Sequence, residues 1–254
     1  MDDSPLVRVR DAVGVAFITL DRGNKRNALS TRMLAEFGEV LAGIAARFPV
    51  IRAVVLMGEG PSFCAGADIK EFEQWSSDAL FDFIELGSRV FCAIQELPQP
   101  VIAGIHGHAL GGGLELALAC DIRVADDSAV IGFPEIRIGG VPGWGGTVRL
   151  QEMIGRSRAA QMTLTGRPIT AGQANAFGLV ESVVAEGELL DRCTALAEDL
   201  ASLNSTALRF AKRALNSGSP YDTRSQAGIE QYANLAGMLT PGRRDSVESF
   251  SGCK

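Results

Sequence analysis

Histidine is almost missing from this chain: only His106 and His108 occur in 254 residues. They alternate at what reads as a strand end. A nucleophile–histidine–acid triad would have to use one of these two. A metal site built on the pair lacks partners at ligand spacing, so no metal is expected. Cysteine is scarce and unpaired. The five lie at 64, 92, 120, 193 and 253, no CxxC occurs, and three sit in apolar runs, which points to free thiols in a reducing compartment. Cys64 reads either as a nucleophile or as a small buried hydrophobe.

Other absences narrow the chemistry. There is no GxGxxG and no GxxxxGK[ST], so the nucleotide-binding fingerprints are missing, which counts against a dehydrogenase. No GxSxG elbow is present. No apolar run is long enough to span a bilayer. The opening MDDSPLVRVR carries neither an apolar signal core nor an Arg/Ser-rich transit pattern, and the expectation is a cytoplasmic protein. Positive charge is in deficit, with 24 Lys and Arg against 30 Asp and Glu and a net charge of −6. Neither nucleic acid nor an anionic membrane is therefore expected as partner. An anionic small molecule would need a local cluster of cations.

What is present is a globular balance, 46% apolar and 21% charged, with 29 glycines suited to tight turns. Leu6–Val9 and Val13–Leu20 read as strands joined by a turn at Arg10–Ala12. Ser30 caps a helix with apolar positions at Met33, Phe37, Leu41 and Ile44. Ala53–Met57 and Val101–Ile105 are continuous apolar runs, hence buried strands. A glycine-marked loop, GEGPSFCAGAD, leads into a helix expected near Asp68, and Leu80–Leu97 is a second long helix. Gly111–Cys120 is helical. Asp121–Ala125, Ala129–Gly132 and Leu179–Val184 read as strands. Thr147–Ile154 and Arg158–Leu164 read as short helices, and Thr170 with Gln173 forms a capping-box signal. From residue 188 only helices are expected: Glu188–Leu203, Thr206–Asn216, Pro220–Leu239 and one from Pro241. The chain thus divides into a strand-bearing part, 1–187, and a helical tail, 188–254.

Two carboxylates stand out. Glu115 shares its helix face with Gly111, Gly112, Leu118 and Ala119, none of them polar. It is either an ordinary glutamate beside a helix start or a desolvated proton carrier in a cleft. Glu135 sits between Pro134 and Ile136 in an apolar loop. Gly111-Gly112-Gly113 precedes a helix N-terminus, where free N–H groups favour negative charge. It is either a tight strand-to-helix turn or half of an oxyanion site. Ala65-Gly66-Ala67-Asp68 is a second such turn. Two N–H groups on one carbonyl oxygen, with two acids beside it, suit chemistry through an enolate.

Four stretches carry a definite resemblance: FCAGADIKEF, PVIAGIHGHALGGGLELALACDIRVA, FPEIRIGGVPGWGGTVRL and LTGRPITAGQANAFGLVESVV. In order and spacing, and with the ITLDRGNKRNALS loop before them, they resemble the enoyl-CoA hydratase/isomerase family, the crotonase superfamily. The resemblance implies an α/β fold, a spiral of ββα units with a C-terminal helical trimerisation region, assembled as a homotrimer or as a dimer of trimers. It implies a coenzyme A thioester as substrate, with coenzyme A part of that substrate and no separate cofactor. By position, the Ala67 and Gly112 N–H groups resemble the oxyanion hole. Glu115 resembles the residue that activates water for the β-carbon, and Glu135 the one that protonates the α-carbon. Ala65, Gly66 and the Asp68–Ile69–Lys70 segment resemble the part that meets adenine and pantetheine. Lys25 and Arg26 resemble the loop that meets the phosphates; taken alone they read equally as solvated loop residues.

Two departures qualify the match. Trp144 stands in PGWGG where close relatives often have a smaller residue, which implies a narrowed acyl channel. The closing SVESFSGCK lacks the basic, aromatic tail that helps close the coenzyme A site in many relatives. Because both glutamates are present, the resemblance favours a trans-2-enoyl-CoA hydratase over a Δ3,Δ2-enoyl-CoA isomerase or another acyl-CoA enzyme of the scaffold. It also favours a hydratase over a non-catalytic acyl-CoA-binding relative.

Overall fold

The computed structural model describes residues 4–71 and 76–217. Its frame is a six-stranded sheet built from β1 (Val7–Ala12), β2 (Val15–Leu20), β3 (Ala53–Gly58), β4 (Val101–Ile105), β6 (Ile122–Asp126) and β9 (Ser182–Val184), in that spatial order. Only the β1–β2 pair is antiparallel. A smaller sheet, in the order β5 (His108–Leu110), β7 (Val130–Gly132), β8 (Ile169–Thr170), lies beside it.

The chain visits the two sheets alternately. β4 in the large sheet leads to β5 in the small one and then to helix α3 (Gly112–Ala119). β6 leads to β7 and then to α4 (Gly146–Thr165). One turn earlier, β3 leads to a single bridge, Cys64 beside Ala109, before α2 (Ser77–Glu96). The expected ββα spiral is therefore present, with its first small-sheet strand reduced to that bridge. α1 (Thr31–Ala46) packs on α2, and Ser30 accepts the Met33 N–H at 3.1 Å as its cap.

The central strands read as unbroken apolar runs because both faces of the large sheet are covered. Ala16, Ile18, Val54, Leu56 and Ala103 face the main core. Phe17, Val55, Ile102 and Val124 face the other way, onto Leu189, Cys193 and Ala197 of α6 (Leu189–Ser202).

One local expectation is corrected. The β1–β2 turn lies at Val13-Gly14 (φ +49 and +79) and not at Arg10–Ala12, because Gly14 accepts the left-handed geometry a two-residue hairpin requires. The two helices expected after Gly146 are present as the two segments of α4, which part at Gly155, whose backbone is not helical (φ +77, ψ 157). Of the stretch near Asp68 where a helix is expected, residues 69–71 form a turn and residues 72–75 lie outside the described residues. The Asp68 carboxylate pairs with Arg22 at 2.7 Å and accepts the Lys70 N–H within that turn. The capping box Thr170–Gln173 opens α5 (Ala171–Phe177) as expected. The expected helices Pro220–Leu239 and from Pro241, and the SVESFSGCK end, lie outside the described residues.

Past Val184 the described chain is helical, in α6 and α7 (Ser205–Ser217). The last of these is pinned by a buried lysine. Lys212 Nζ donates to the Ile94 and Gln99 carbonyls at 3.0 and 2.9 Å and to Asp121 Oδ2 at 2.7 Å. The same Asp121 oxygen accepts the Val101 N–H, so one carboxylate ties α7 to the start of β4. Lys212→Met strips the counter-charge from Asp121 and two acceptors of their donor. We expect a loss of about 2–4 kcal/mol in urea unfolding, and unchanged stability would contradict this anchor.

Candidate active site

The site grows out of the crossing between β5, α3 and the segment before α4. Every residue of α3 is buried, which is why its sequence shows no polar stripe. The glycines at its start are demanded by crowding. A Cβ on Gly111 would lie 2.8 Å from Glu135 Oε1, on Gly112 2.3 Å from the Trp144 ring, and on Gly113 2.0 Å from the Cys64 carbonyl. Any side chain there would displace backbone, the indole or a carboxylate.

Glu115, in the first turn of α3, is 2% exposed. Its Oε1 accepts the Trp144 N–H at 2.6 Å and the Gly146 N–H at 2.9 Å. Burial raises its pKa from 4.5 to about 7, against the pull of these N–H groups and of the Arg149 guanidinium. Glu115 is thus desolvated and not an ordinary surface glutamate.

Glu135 begins a 3-10 turn, Glu135–Ile138, where the sequence suggested plain loop. Its carboxylate reaches the backbone at Gly111. Glu115 and Glu135 both line one cavity of about 110 Å³. Ala65, Gly66, Ala67, Ile69, Gly112 and Trp144 line it too. Gly66 (φ +102) stands so near the next spiral turn that a Cβ on it would lie 2.7 Å from the Leu110 carbonyl and 3.4 Å from the Gly112 nitrogen. That proximity sets the Ala67 and Gly112 segments side by side.

Lys25, Arg26, Asp68 and Lys70 are not part of the cavity wall. Lys25 and Arg26 are exposed at the end of the 3-10 turn Gly23–Lys25, and the Arg26 carbonyl accepts the Ala65 N–H at 2.9 Å. Lys70 is exposed, and Asp68 is held by Arg22. Among the described residues no cluster of acids, cysteines and histidines could hold a metal ion. Cys64 is fully buried, its thiol donates to the Asn27 carbonyl, and burial pushes it up to about 12, as befits a packing residue.

Trp144 forms a wall with both of its parts. Its N–H holds Glu115, while its buried indole donates to the Ile84 carbonyl at 3.0 Å and meets Phe83 and Phe91 edge-on. Sequence reading missed Phe83 and Ile84 of α2, Ile138 and Val141 beyond Glu135, and the buried Arg149. The α2 residues read as ordinary core positions. Arg149 offered only one signal, a charge between Val148 and Leu150.

The family model for enoyl-CoA hydratase/isomerase matches residues 10–250. The chain belongs to this family. It is 42% identical over 251 residues to the Bacillus subtilis protein YngF, which carries the name of an enoyl-CoA hydratase/isomerase, covering 98% of this chain and 96% of that one. It is 37% identical to the short-chain-enoyl-CoA hydratase of Clostridium acetobutylicum, covering 93% and 90%. The crystal structure of an enoyl-CoA hydratase from Bacillus anthracis superposes with a TM-score of 0.82 at 37% identity, over 97% of this chain and 96% of that one. The family acts on acyl-CoA substrates, as its name states.

Burial of Glu115 has a measurable consequence. Its pKa is higher folded than unfolded, so the folded state binds the extra proton between 4.5 and about 7. Stability is therefore lost as pH rises through that window, by up to about 3 kcal/mol. Glu115→Gln should be more stable than the parent at pH 8, by about 1–3 kcal/mol, with the gap closing below the lower limit. A gap of the opposite sign in urea titrations at the two pH values would contradict the burial argument.

Proposed function

We propose that this protein is an enoyl-CoA hydratase, adding water reversibly in the syn sense to trans-2-enoyl-CoA to give 3-hydroxyacyl-CoA. One observation carries the reading: two carboxylates and two glycine-flanked backbone segments line a single, largely apolar cavity. The thioester carbonyl would lie between the Ala67 and Gly112 N–H groups, which stabilise the enolate oxygen as charge builds there. Gly112 adds the positive end of α3.

The two acids divide the proton work. Glu115, ionised, takes a proton from water as its oxygen bonds to the β-carbon. Glu135, in acid form, gives a proton to the α-carbon and helps hold the same water. The enolate pair returns from oxygen to carbon as the new C–H bond forms. Water has then supplied both added groups, and proton exchange between the two acids through solvent resets them. Since Glu115 must be ionised, activity should fall as pH drops below about 7. Lys25, Arg26 and Lys70 would supply the local positive charge for the phosphates, with Ala65, Gly66, Asp68 and Ile69 along the pantetheine and adenine. No resident cofactor enters the scheme.

The buried indole of Trp144 against Phe83 and Phe91 supports a preference for short acyl chains. So does a cavity of about 110 Å³, well below the roughly 300–1,000 Å³ of sites that enclose larger ligands. A homotrimer or dimer of trimers is part of the same proposal, supported by Phe210 and Leu215 of α7, which are 60% and 81% exposed. A cytoplasmic setting is supported by Cys64, Cys92, Cys120 and Cys193, all of them free thiols. No helix among the described residues is long and apolar enough to cross a membrane.

The test offers crotonyl-CoA and a long-chain homologue in buffer alone, following loss of the conjugated thioester absorbance and identifying the product by mass. Glu115→Gln and Glu135→Gln should each lower hydration by about 10²–10⁴-fold. An isomerase needs only a shuttling base, so retained double-bond migration with no hydration in the parent would replace the proposal. Trp144→Ala should raise kcat/KM for the long-chain substrate relative to crotonyl-CoA by about tenfold or more. Equal turnover of both substrates by the parent would remove the chain-length reading.

A further inference from the structure

Arg149 is an arginine with no solvent to face. It is 2% exposed on α4, one turn beyond the segment that grips Glu115. Its Nη1 donates to the Trp144 carbonyl at 2.5 Å, and its Nη2 donates to Gln95 Oε1 of α2 at 2.9 Å. The guanidinium lies so close under Gly145 (φ +90) that a Cβ there would be 2.6 Å from Nη1. Trp144 and Gly146, on either side of that glycine, donate to Glu115 Oε1. One peptide turn is thus held from below by a cation while its N–H groups hold an anion above.

We propose that Arg149 is the positioning residue of this site: its buried guanidinium fixes the Trp144–Gly146 turn and supplies the positive charge opposed to Glu115. The other ionisable groups on elements packed against α3 do not take that part. His108 of β5 bonds to Ser62 Oγ, and the Cys64 and Cys120 thiols stay neutral with pKa values near 12. The charged residues of α2, Asp78, Asp82, Glu85, Arg89 and Glu96, and the others of α4, Glu152, Arg156 and Arg158, are exposed. Glu135 is a carboxyl group and carries no positive charge in either of its forms. Arg149 also favours the ionised form of Glu115, opposing burial.

The kinetic meaning of this inference rests on Glu115 acting as the base, but its test does not. Carboxyl-13C NMR of labelled glutamate, with Glu115→Gln to identify the signal, reads the titration without substrate. Arg149→Gln should move the Glu115 titration alkaline by about one pH unit or more. Arg149→Lys, which keeps the charge, should leave it near the parent value while displacing the Trp144 and Gly146 amide resonances. A folded Arg149→Gln protein with an unmoved titration overturns the proposal. If that variant does not fold, Arg149→Lys decides: displaced amides with a parent-like titration uphold it, and unmoved amides or a titration shifted by about a unit overturn it. A parent protein that hydrates no enoyl thioester would sink the functional reading and leave this test standing.

Discussion

Taking a carboxylate out of water is costly, and the fold meets that cost at Glu115 with backbone. Two N–H groups at the start of α4 converge on one of its oxygens, and a buried cation stands behind them. These contacts recover only part of the lost hydration, so the acid is left near neutrality with a pKa of about 7. A proton carrier has most use there, since both of its forms are populated at working pH. The glycines around it follow from the same arrangement, because the carboxylate, the indole and the neighbouring carbonyls leave no room for a Cβ.

The spiral brings these parts together although they are far apart in the chain. Each turn lays one strand in the large sheet, one short strand or bridge in the small sheet, and then a helix. Equivalent points of successive turns are therefore neighbours. Gly66 comes from one turn, Gly112 and Glu115 from the next, and Glu135 and Trp144 from the third, and all five meet at one cavity. The large sheet, sealed on both faces, is the rigid floor that keeps the turns in register.

Much of this was legible in the sequence where the signal was local. The apolar surroundings of Glu115 marked it as inward-facing, the triple glycine marked a crowded turn, and unbroken runs such as Ala53–Met57 marked strands buried on both sides. What escaped depended on distant partners. The carboxylate of Asp68 is paired with Arg22, 46 residues away. The donors to Glu115 are peptide N–H groups, which carry no side-chain signature. Arg149 looks like any arginine on a helix until Trp144 and Gln95 are seen to flank it. The β1–β2 turn was misplaced because β1 is an edge strand whose exposed face carries Arg8 and Arg10, so its end has no hydrophobic marker.

Trp144 serves the site through two chemically separate parts. Its peptide nitrogen holds the acid, and every residue except proline offers that same group. Its ring bounds the cavity, and that part changes with any substitution. Under the function proposed above, selectivity and reactivity thus reside in different atoms of one residue. On that proposal, a lineage carrying this scaffold can drift toward bulkier thioesters by exchanging one side chain while the N–H groups that hold Glu115 stay as they were.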